Sequence, residues 1–380
     1  MRDNQSDIFK RVHAYGSKWL RENKHLEVDE TILDLLTEKG VYPYNYVKDY
    51  DVFNETDLPS PESFYDNLKK EELKASDYIR AKVVWNKTEC KTFGGYHDIY
   101  LLTDVLLLAD LLIIFQEKSL EQYNLEPLTY FTLPHYGWNA MLLKTGVKLG
   151  LISDPDMFDM IESAKRGGIV QVSKKYCVAN NQYMNNYDKH MVSNYIMYLD
   201  ANNLYGKAMV QKLPEKGYKW VEDFKVEDII DYNMEKSKKG YFIECDIEYP
   251  EELHDKHNDY PLAPERMKIK GDMLSPHLTE LYKKINKKSR KVKDEDTEKL
   301  ILNLHNKSKY VDHIETLKLY MQLGLKITKI YRVIEFKHTN WLESWINFNT
   351  EQRKHAKSDY EKDFFKLMNN AVYGKNYGGC

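Results

Sequence analysis

The 380-residue sequence has few cysteines, no long apolar run and almost no excess of charge. Its four cysteines stand far apart, which excludes a zinc knuckle or a CxxC redox pair and is typical of isolated thiols in a reducing compartment; they are Cys90, Cys177, Cys245 and Cys380. The most apolar run, residues 105–115, is interrupted by Asp110 and is too short to cross a bilayer. The N-terminus lacks an apolar signal core. We therefore expect a soluble intracellular protein, in the nucleus or another compartment, without a membrane partner.

A net charge of −3 excludes a chain-wide polyanion-binding surface, so nucleic-acid binding would depend on local basic patches. The sequence is 42% hydrophobic and 30% charged, which is an ordinary globular balance, and its length predicts two or three domains. Tyrosine is abundant, with 30 residues. It offers stacking surface with a polar tip, which suits nucleic acid but also ordinary half-buried sheets.

Hydrophobic periodicity predicts a mixture of helices and strands. The strongest helical pattern lies at residues 97–122, where one apolar stripe comprises Ile99, Leu102, Val105, Leu106, Ala109, Leu112 and Ile113. Further helices are expected within residues 1–40, 63–90, 311–323 and 341–371, the last as two helices around a short bend. Strands are expected at residues 169–172, 195–199, 240–250 and 326–336.

A carboxylate follows the predicted strand 195–199. Asp200 at such a strand end is well placed to hold Mg²⁺, with a backbone carbonyl of the following turn as a further oxygen ligand. Tyr205, five residues on, could then lie against the sugar of a nucleotide bound to that metal. A turn Asp that caps a helix is the alternative, and on this segment alone it is the commoner case.

The C-terminal segment places Lys366, Asn370 and Tyr373 at spacings of four and three, which fall on one face of a helix. Lys can meet a triphosphate, and Tyr can cover a base or a sugar. Arg353 and Lys357 are four apart and would share a face of the preceding helix, from which their charges could reach the same polyphosphate. For these two residues alone, a solvated basic face is the favoured alternative.

Two further segments are candidates for chemistry. Asp104 interrupts the apolar helix, so it needs a cap, a cation or a metal as a partner, and Tyr100 one turn earlier could orient a metal-bound water. An Asp at the helix edge that faces solvent is equally compatible with the pattern. Residues 165–168, Lys-Arg-Gly-Gly, combine two cations with glycines that let a backbone approach a phosphate, although such a basic turn is common.

Taken in order, these patterns resemble the family B DNA polymerases, and most closely the type 2 branch of protein-primed viruses, linear plasmids and Maverick/Polinton-type transposons. The order is Tyr-x3-Asp, a basic Gly-Gly turn, Asp-x3-Leu-Tyr and Lys-x3-Asn-x2-Tyr-Gly. The likeness covers nearly the whole chain from about Val41 onward. It implies an α+β or α/β multidomain fold, in which the C-terminal part of an RNase H-like exonuclease domain precedes a polymerase palm and helical fingers.

The resemblance implies four parts of the chain. Residues 1–125 would be the end of a 3′–5′ exonuclease domain with an N-terminal extension, and residues 126–210 a linker with the first palm segment. Residues 211–340 would be a palm insertion like the one that holds the terminal protein in protein-primed enzymes. Residues 341–380 would be the fingers, truncated before the second palm carboxylate.

The resemblance also assigns roles to residues. Tyr100 and Asp104 match the third exonuclease motif, in which Asp holds a metal and Tyr helps to place the attacking water. Asp200 matches the first metal-binding palm carboxylate, and Tyr205 matches the steric gate against ribonucleotides. The turn that binds the template strand is matched by Arg166, Gly167 and Gly168. The nucleotide pocket is matched by the triphosphate-binding Lys366 and by Asn370, Tyr373 and Gly374, whereas Arg353 and Lys357 fit the finger cations by spacing only.

The sequence departs from the family pattern at several positions. Lys165 replaces the usual Tyr, Asn203 and Ala371 stand where Ser is usual, and Gly206 stands where Pro is usual. No Tyr-x-Asp-Thr-Asp motif with the second palm carboxylate follows the Lys366 segment, and no convincing Asp-x-Glu lies in residues 1–60. We therefore expect both catalytic sites to be incomplete in this chain, and we expect the isolated chain not to polymerise.

The resemblance thus implies a fragment of a DNA-directed DNA polymerase that acts in DNA replication and also carries a 3′–5′ exonuclease. The parent reaction is template-directed addition of dNTP by two-metal phosphoryl transfer with Mg²⁺. The implied partners are primer–template DNA, dNTP and a terminal protein primer. The alternative is a catalytically dead DNA-binding relic or accessory protein built on a polymerase scaffold.

Overall fold

The computed structural model describes residues 9–285 and 297–375 of the chain. Two compact units are distinguished, Met1–Ala140 and Met141–Cys380. Cys380 lies outside the described residues, whereas the other three cysteines are free thiols, as the sequence predicts. Within the described residues, no helix combines the length and the apolarity needed to cross a membrane.

Helices form most of the described first unit. A π-helical turn, Val12–Gly16, leads into α1, and the α-helices in chain order are α1 (Ser17–Lys24), α2 (Glu30–Leu36), α3 (Ala75–Lys87), α4 (Phe93–Tyr123) and α5 (Leu133–Thr145). The α4 helix confirms the strongest sequence prediction. It begins after Thr92, whose hydroxyl accepts a hydrogen bond from the Gly95 N–H, and it ends at Asn124 in the left-handed conformation. Within the helix expected at residues 63–90, the only α-helix among the described residues is α3, which is shorter than expected.

The α4 helix buries a different face from the apolar stripe expected for it. Ile99 and Leu107 are buried, but Val105 and Leu112 are exposed. The buried face is set by a polar residue. The buried Asp110 carboxylate accepts hydrogen bonds from the N–H groups of Arg11 and Val12 at 3.0–3.2 Å, and it also pairs with the Arg11 guanidinium. A carboxylate that is satisfied in this way can face the core, so it fixes which side of α4 turns inward.

The second unit combines helices with strands. In chain order its elements are α6 (Pro155–Ala164), α7 (Leu204–Met209), β1 (Leu213–Trp220), α8 (Val226–Asp231), β2 (Lys239–Glu248), α9 (His254–His257), β3 (Glu265–Lys268), α10 (Pro276–Ile285), β4 (Glu298–Ile301), β5 (Lys307–His313), α11 (Ile314–Gln322), β6 (Lys326–Thr339), α12 (Glu343–His355) and α13 (Asp359–Lys375). The mixed α/β composition expected from the sequence is confirmed.

Among the described residues, an antiparallel sheet has the order β1-β6-β2-β5, and β3 pairs separately with β4. Alternate side chains of β2 and β6, such as Ile243 and Val333, pack into a core with residues of α8 and α11. On the other face, Ile334 packs with Met157 and Met160 of α6. The sheet is therefore covered by helices on both faces.

Most sequence predictions for the second unit hold. Strands form at residues 240–248 and 326–336, so the strand expected at 240–250 ends two residues early, and α12 and α13 are the expected two helices around a bend. The helix expected at 311–323 begins only at Ile314, because residues 311–313 complete β5.

The predictions of strands at residues 169–172 and 195–199 are wrong. Both segments are irregular and mostly exposed, with Leu199 at 80% of its full exposure, and neither pairs with a strand among the described residues. β-Branched and aromatic composition favours extended backbone, but a strand also needs a neighbour to accept its hydrogen bonds. The carboxylate at Asp200 therefore follows an irregular segment that pairs with no strand in the described part of the chain.

Candidate functional site

The helices α12 and α13 form a packed pair. Their facing apolar side chains, among them Trp345 and Met368, are buried. Between them the buried Asn349 amide donates to the Asn369 side-chain oxygen at 2.9 Å. The bend that joins the helices is shaped by Ser358, whose hydroxyl accepts from the Glu361 N–H at 3.2 Å, as expected for a residue that caps a helix N-terminus.

The face of α13 that turns away from this core carries the predicted nucleotide-binding residues. Lys366 and Asn370 are exposed and Tyr373 is half-buried, whereas Met368 and Val372 are buried on the other side. Lys366 has no hydrogen-bond or ion-pair partner within residues 9–285 and 297–375. The spacing-based prediction of a shared helix face is therefore confirmed, and a free ammonium group stands at its start. Gly374 continues the same helix.

Two rings that the sequence places far apart meet at this helix. Tyr205 lies in the short helix α7, and its ring centroid is 4.3 Å from that of Tyr373, with an interplanar angle of 42°. The Tyr205 ring is still half exposed. The structure thus brings together the two tyrosines that the sequence assigned separately to a nucleotide pocket.

The turn that leads into α7 explains two departures from the family pattern. Asn203 adopts the left-handed conformation with φ of 56°, and its side chain folds back over Gly206. A Cβ atom built on Gly206 would lie 2.3 Å from the Asn203 amide nitrogen. The two residues are therefore matched, because this Asn conformation requires a residue without a side chain three positions on.

Asp200 is exposed and has no hydrogen bond or ion pair in the described part of the chain. A free carboxylate offers the oxygen ligands that Mg²⁺ prefers. However, residues 9–285 and 297–375 hold no group of three or more His, Cys, Asp or Glu side chains that could bind a metal ion. Asp200 therefore fits a divalent metal as one ligand of a set, and these residues by themselves do not complete that set.

Arg353 and Lys357 do not share a helix face as predicted. The α12 helix ends at His355, so Arg353 lies in its last turn and Lys357 lies in the bend beyond it. The Lys357 N–H donates to the Glu361 carboxylate at 2.8 Å, which fixes the backbone there. Both side chains are exposed, and their role in a nucleotide pocket stays a prediction.

The side chain of Arg166 is held within the protein. Its guanidinium pairs with Asp312 at 3.1 Å, donates to the Val311 carbonyl at 2.8 Å and lies 3.9 Å from the centre of the Tyr310 ring. Burial raises the pKa of Asp312 in spite of this neighbouring cation. Arg166 therefore anchors its segment to β5, and sequence reasoning missed this because the partner lies far along the chain.

The two glycines after Arg166 are open. A Cβ built on Gly167 or Gly168 would meet nothing within 4 Å, and neither residue requires a left-handed conformation. The backbone of this turn is therefore accessible to a ligand, while Arg166 fixes where the turn begins.

In the first unit, Tyr100 belongs to a cluster of tyrosines. It stacks on Tyr42 with a centroid distance of 4.7 Å, and its hydroxyl is hydrogen-bonded to that of Tyr44. Burial and the Tyr44 hydrogen bond raise the pKa of Tyr100, and burial raises the pKa of Tyr42 to about 12. Both rings therefore stay neutral at physiological pH.

Asp104 lies one turn along α4 from Tyr100 and is half-buried. It has no hydrogen-bond or ion-pair partner among the described residues, so the structure supplies neither the cap nor the cation that we expected for it. Tyr100, Tyr42 and Tyr44 line a cleft of about 530 Å³ together with Asp66 and Asp77. The metal and water-positioning roles of Asp104 and Tyr100 stay predictions.

Three solved structures of phi29 DNA polymerase are similar to this chain. The orthorhombic crystal form is 14% identical with a TM-score of 0.44, over 90% of this chain and 48% of its own. The binary complex with primer–template DNA is 14% identical with a TM-score of 0.42, over 95% of this chain and 46% of its own. The ternary complex with primer–template DNA and incoming nucleotide substrates is 16% identical with a TM-score of 0.38, over 89% of this chain and 47% of its own.

This chain thus spans about half the length of the solved structures that it matches. No curated protein sequence matches it. The profile of the family described as "DNA polymerase type B, organellar and viral" matches residues 32–376, which is nearly the whole chain. The family expected from the sequence is confirmed: the chain belongs to the organellar and viral type B DNA polymerases.

Proposed function

We propose that this chain supplies part of the nucleotide pocket of a DNA-directed DNA polymerase, which adds dNTP to a primer 3′-hydroxyl under the direction of a template. The observation that carries the proposal is the contact of Tyr205 with Tyr373, on the same helix as Lys366, which has no partner among the described residues. Family membership supports the same activity. The partners would be primer–template DNA and dNTP.

Each member of the pocket would have one task. Lys366 would neutralise the charge that develops on the leaving pyrophosphate, since a positioned cation favours the transferring state of a polyphosphate. Tyr205 would close the space at the sugar 2′ position, and its contact with the Tyr373 ring would help to position it. Asn370 and Gly374 would pack near the nascent base pair. Arg353 and Lys357 would add positive charge at the edge of the pocket.

Polymerases of this family use a divalent metal, and Mg²⁺ is our specific assignment. Asp200 would provide one carboxylate ligand, because it is exposed and unpaired within the described residues. When bound, the metal supplies charge stabilisation and lowers the pKa of the attacking hydroxyl. The Asp200 backbone can move to meet it, since no strand partner restrains residues 195–199.

The remaining assignments follow the same order along the chain. Tyr100 and Asp104 would belong to a 3′–5′ exonuclease in residues 1–125, and the open Gly167–Gly168 backbone would contact the template strand. Residues 126–210 would hold the linker and first palm segment, and residues 341–380 the fingers. The β1-β6-β2-β5 sheet within residues 211–340 would be an insertion that receives a terminal protein.

The test is equilibrium binding of a fluorescent dNTP by the Lys366→Ala variant. We expect at least tenfold weaker binding, because one charge-assisted contact to phosphate is lost. The matched control is Lys362→Ala: Lys362 is also exposed, lies one turn earlier on α13 and already pairs with Asp359 at 2.9 Å. Equal losses in the two variants would contradict the proposed pocket.

Primer extension separates catalysis from binding. Extension that depends on Asp200 would assign full activity to this chain. Retained binding of primer–template DNA without any turnover would instead support the accessory or relic role.

A further inference from the structure

Residues 180–194 form a loop that is closed by the side chain of one asparagine. The Asn180 side-chain oxygen accepts from the Asp188 N–H, and its amide group donates to the Asp188 carbonyl, both at 2.9 Å. The same amide group approaches the carbonyls of Met191 and Val192 at 3.3–3.4 Å. Asn180 therefore replaces the backbone partner that this irregular loop lacks.

The ends of the loop are tied by a second set of polar contacts. The backbones of Asn180 and Asn194 form an isolated β-bridge. The neighbouring buried Asn181 donates to the Asn194 carbonyl at 3.1 Å and accepts from the Tyr183 N–H at 3.1 Å. The loop thus has a defined shape without an apolar core of its own.

The outer surface of the loop is aromatic and basic. Tyr183 is 80% exposed and Tyr187 is 41% exposed, and the Lys189 and His190 side chains between Tyr187 and Asn194 are also exposed. These rings contribute little to the stability of the fold, since their apolar area remains in water. A loop that is held by polar bonds and turns its rings outward is suited to a ligand with flat apolar faces.

The charge of the surrounding segment selects the class of ligand. Residues 165–199 contain five Lys or Arg and one Asp, whereas the whole chain has a net charge of −3. Lys165 and Arg166 are paired with Glu162 and Asp312, so the cations that could meet a ligand are Lys174, Lys175 and Lys189. Exposed Tyr176, Tyr195 and Tyr198 extend the aromatic surface on both sides of the loop. Exposed rings and cations that follow one another along one segment match a single nucleic-acid strand, in which bases stack and phosphates carry the charge.

We propose that the loop 180–194 binds a single DNA strand, with Tyr183 and Tyr187 stacked on bases and Lys189 close to a phosphate. The inference rests on the proposed polymerase function and adds to it a strand-binding site between the Gly167–Gly168 turn and Asp200. Because the segment continues directly to Asp200, a strand held by the loop would be led toward that carboxylate.

The experiment is fluorescence anisotropy of a labelled single-stranded DNA oligonucleotide with the full chain. The double variant Tyr183→Ala/Tyr187→Ala should bind about tenfold to a hundredfold more weakly, because two stacking contacts are lost. The variant Tyr183→Phe/Tyr187→Phe keeps the rings and should bind as the unaltered chain does. The matched control is Tyr50→Ala, which removes a ring that is 86% exposed but lies outside the segment.

Two further variants test the charge and the shape of the loop. Lys189→Gln should lower the slope of log affinity against log salt by about 0.7, the value for one phosphate contact on a single strand. Asn180→Asp removes the amide donor but keeps the size and should weaken binding while the rings remain. Thermal unfolding of each variant shows that the chain is folded.

The proposal would be overturned by an unaltered chain that does not bind single-stranded DNA, or by equal affinities of the double alanine variant and the Tyr50→Ala control. The dNTP test with Lys366→Ala is independent of the loop. If Lys366→Ala weakens dNTP binding but the loop variants bind single-stranded DNA normally, only the loop inference is rejected. If the loop variants bind DNA more weakly but Lys366→Ala binds dNTP normally, only the nucleotide pocket is rejected.

Discussion

The helix pair α12–α13 and the segment 165–200 present site residues in two different ways. The helix pair buries aromatic and aliphatic side chains on one face and leaves Lys366 and Asn370 exposed on the other. The segment 165–200 has almost no buried apolar residues and is held by polar side chains, chiefly Arg166 and Asn180. A packed helix fixes a side chain through its neighbours, whereas the position of an irregular segment depends on a few polar contacts.

The largest effect is expected for Arg166→Ala. The change leaves the Asp312 carboxylate without its cation, and we expect a loss of about 3–4 kcal/mol in the free energy of unfolding. Burial already raises the pKa of Asp312, and loss of Arg166 raises it further. The deficit should therefore grow as pH rises through that pKa, because the unpaired carboxylate must then ionise inside the protein.

Urea unfolding at two pH values measures this loss. The matched control is the adjacent Lys165→Ala, since Lys165 makes only a surface pair with Glu162 and should change stability by about 0.5 kcal/mol or less. If Arg166→Ala were as mild as Lys165→Ala, the anchor would not hold the segment, and the contrast with the helix pair would fail.

A smaller effect is expected for His313, which follows Asp312 on β5. Burial and the nearby His338 lower the pKa of His313 to about 4. As pH falls below 6.5, the unfolded state takes up a proton on His313 before the folded state does. The free energy of unfolding should therefore fall by about 3 kcal/mol as pH decreases from 6.5 toward 4. Its ring nitrogen also accepts from the Glu315 N–H at the start of α11, a bond that protonation would remove.

The variant His313→Asn isolates this titration, because Asn can still cap α11 but does not titrate. Its free energy of unfolding should depend less on pH between 6.5 and 4 than that of the unaltered chain. If chemical denaturation gave the same pH dependence of the free energy of unfolding for the variant and the unaltered chain, His313 would not be the group that causes that dependence.

The smallest of the three effects is expected within the helix pair. Asn349→Ala removes the amide that donates to Asn369 and leaves a small cavity, for an expected loss of about 2 kcal/mol. Asn347→Ala is the matched control on the same helix, since Asn347 is exposed. If Asn349→Ala lost more free energy of unfolding than Arg166→Ala, the contrast between the helix pair and the segment 165–200 would be reversed. The helix pair would then depend on a single polar bond as well.

Sequence patterns were most successful where one element contains its own signal. The α4 helix, the two C-terminal helices and the shared face of Lys366, Asn370 and Tyr373 follow from spacing alone, since a helical period repeats within a few residues. Asn349 also carried a local signal that we missed, because it occupies an apolar helix face three and four residues from Ile346 and Trp345.

Predictions failed where the outcome depended on a distant partner. Residues 195–199 have strand-forming composition, but a strand needs a neighbouring backbone, and no described segment supplies one. Sequence reasoning also missed that the Arg166 guanidinium is engaged by residues of β5, while the template-strand role of the Arg166–Gly168 turn stays a prediction. Nothing within residues 165–168 could have indicated that engagement.

By itself, the sequence determined the family, most of the helices and the side chains that could form a nucleotide pocket, because these depend on residue order and short spacings. Only the tertiary structure decided that Tyr205 meets Tyr373, that Asp110 turns α4 inward and that Arg166 is an anchor. The physical reason is that a contact between distant residues depends on which buried polar groups find partners, and that is settled only when the chain is packed.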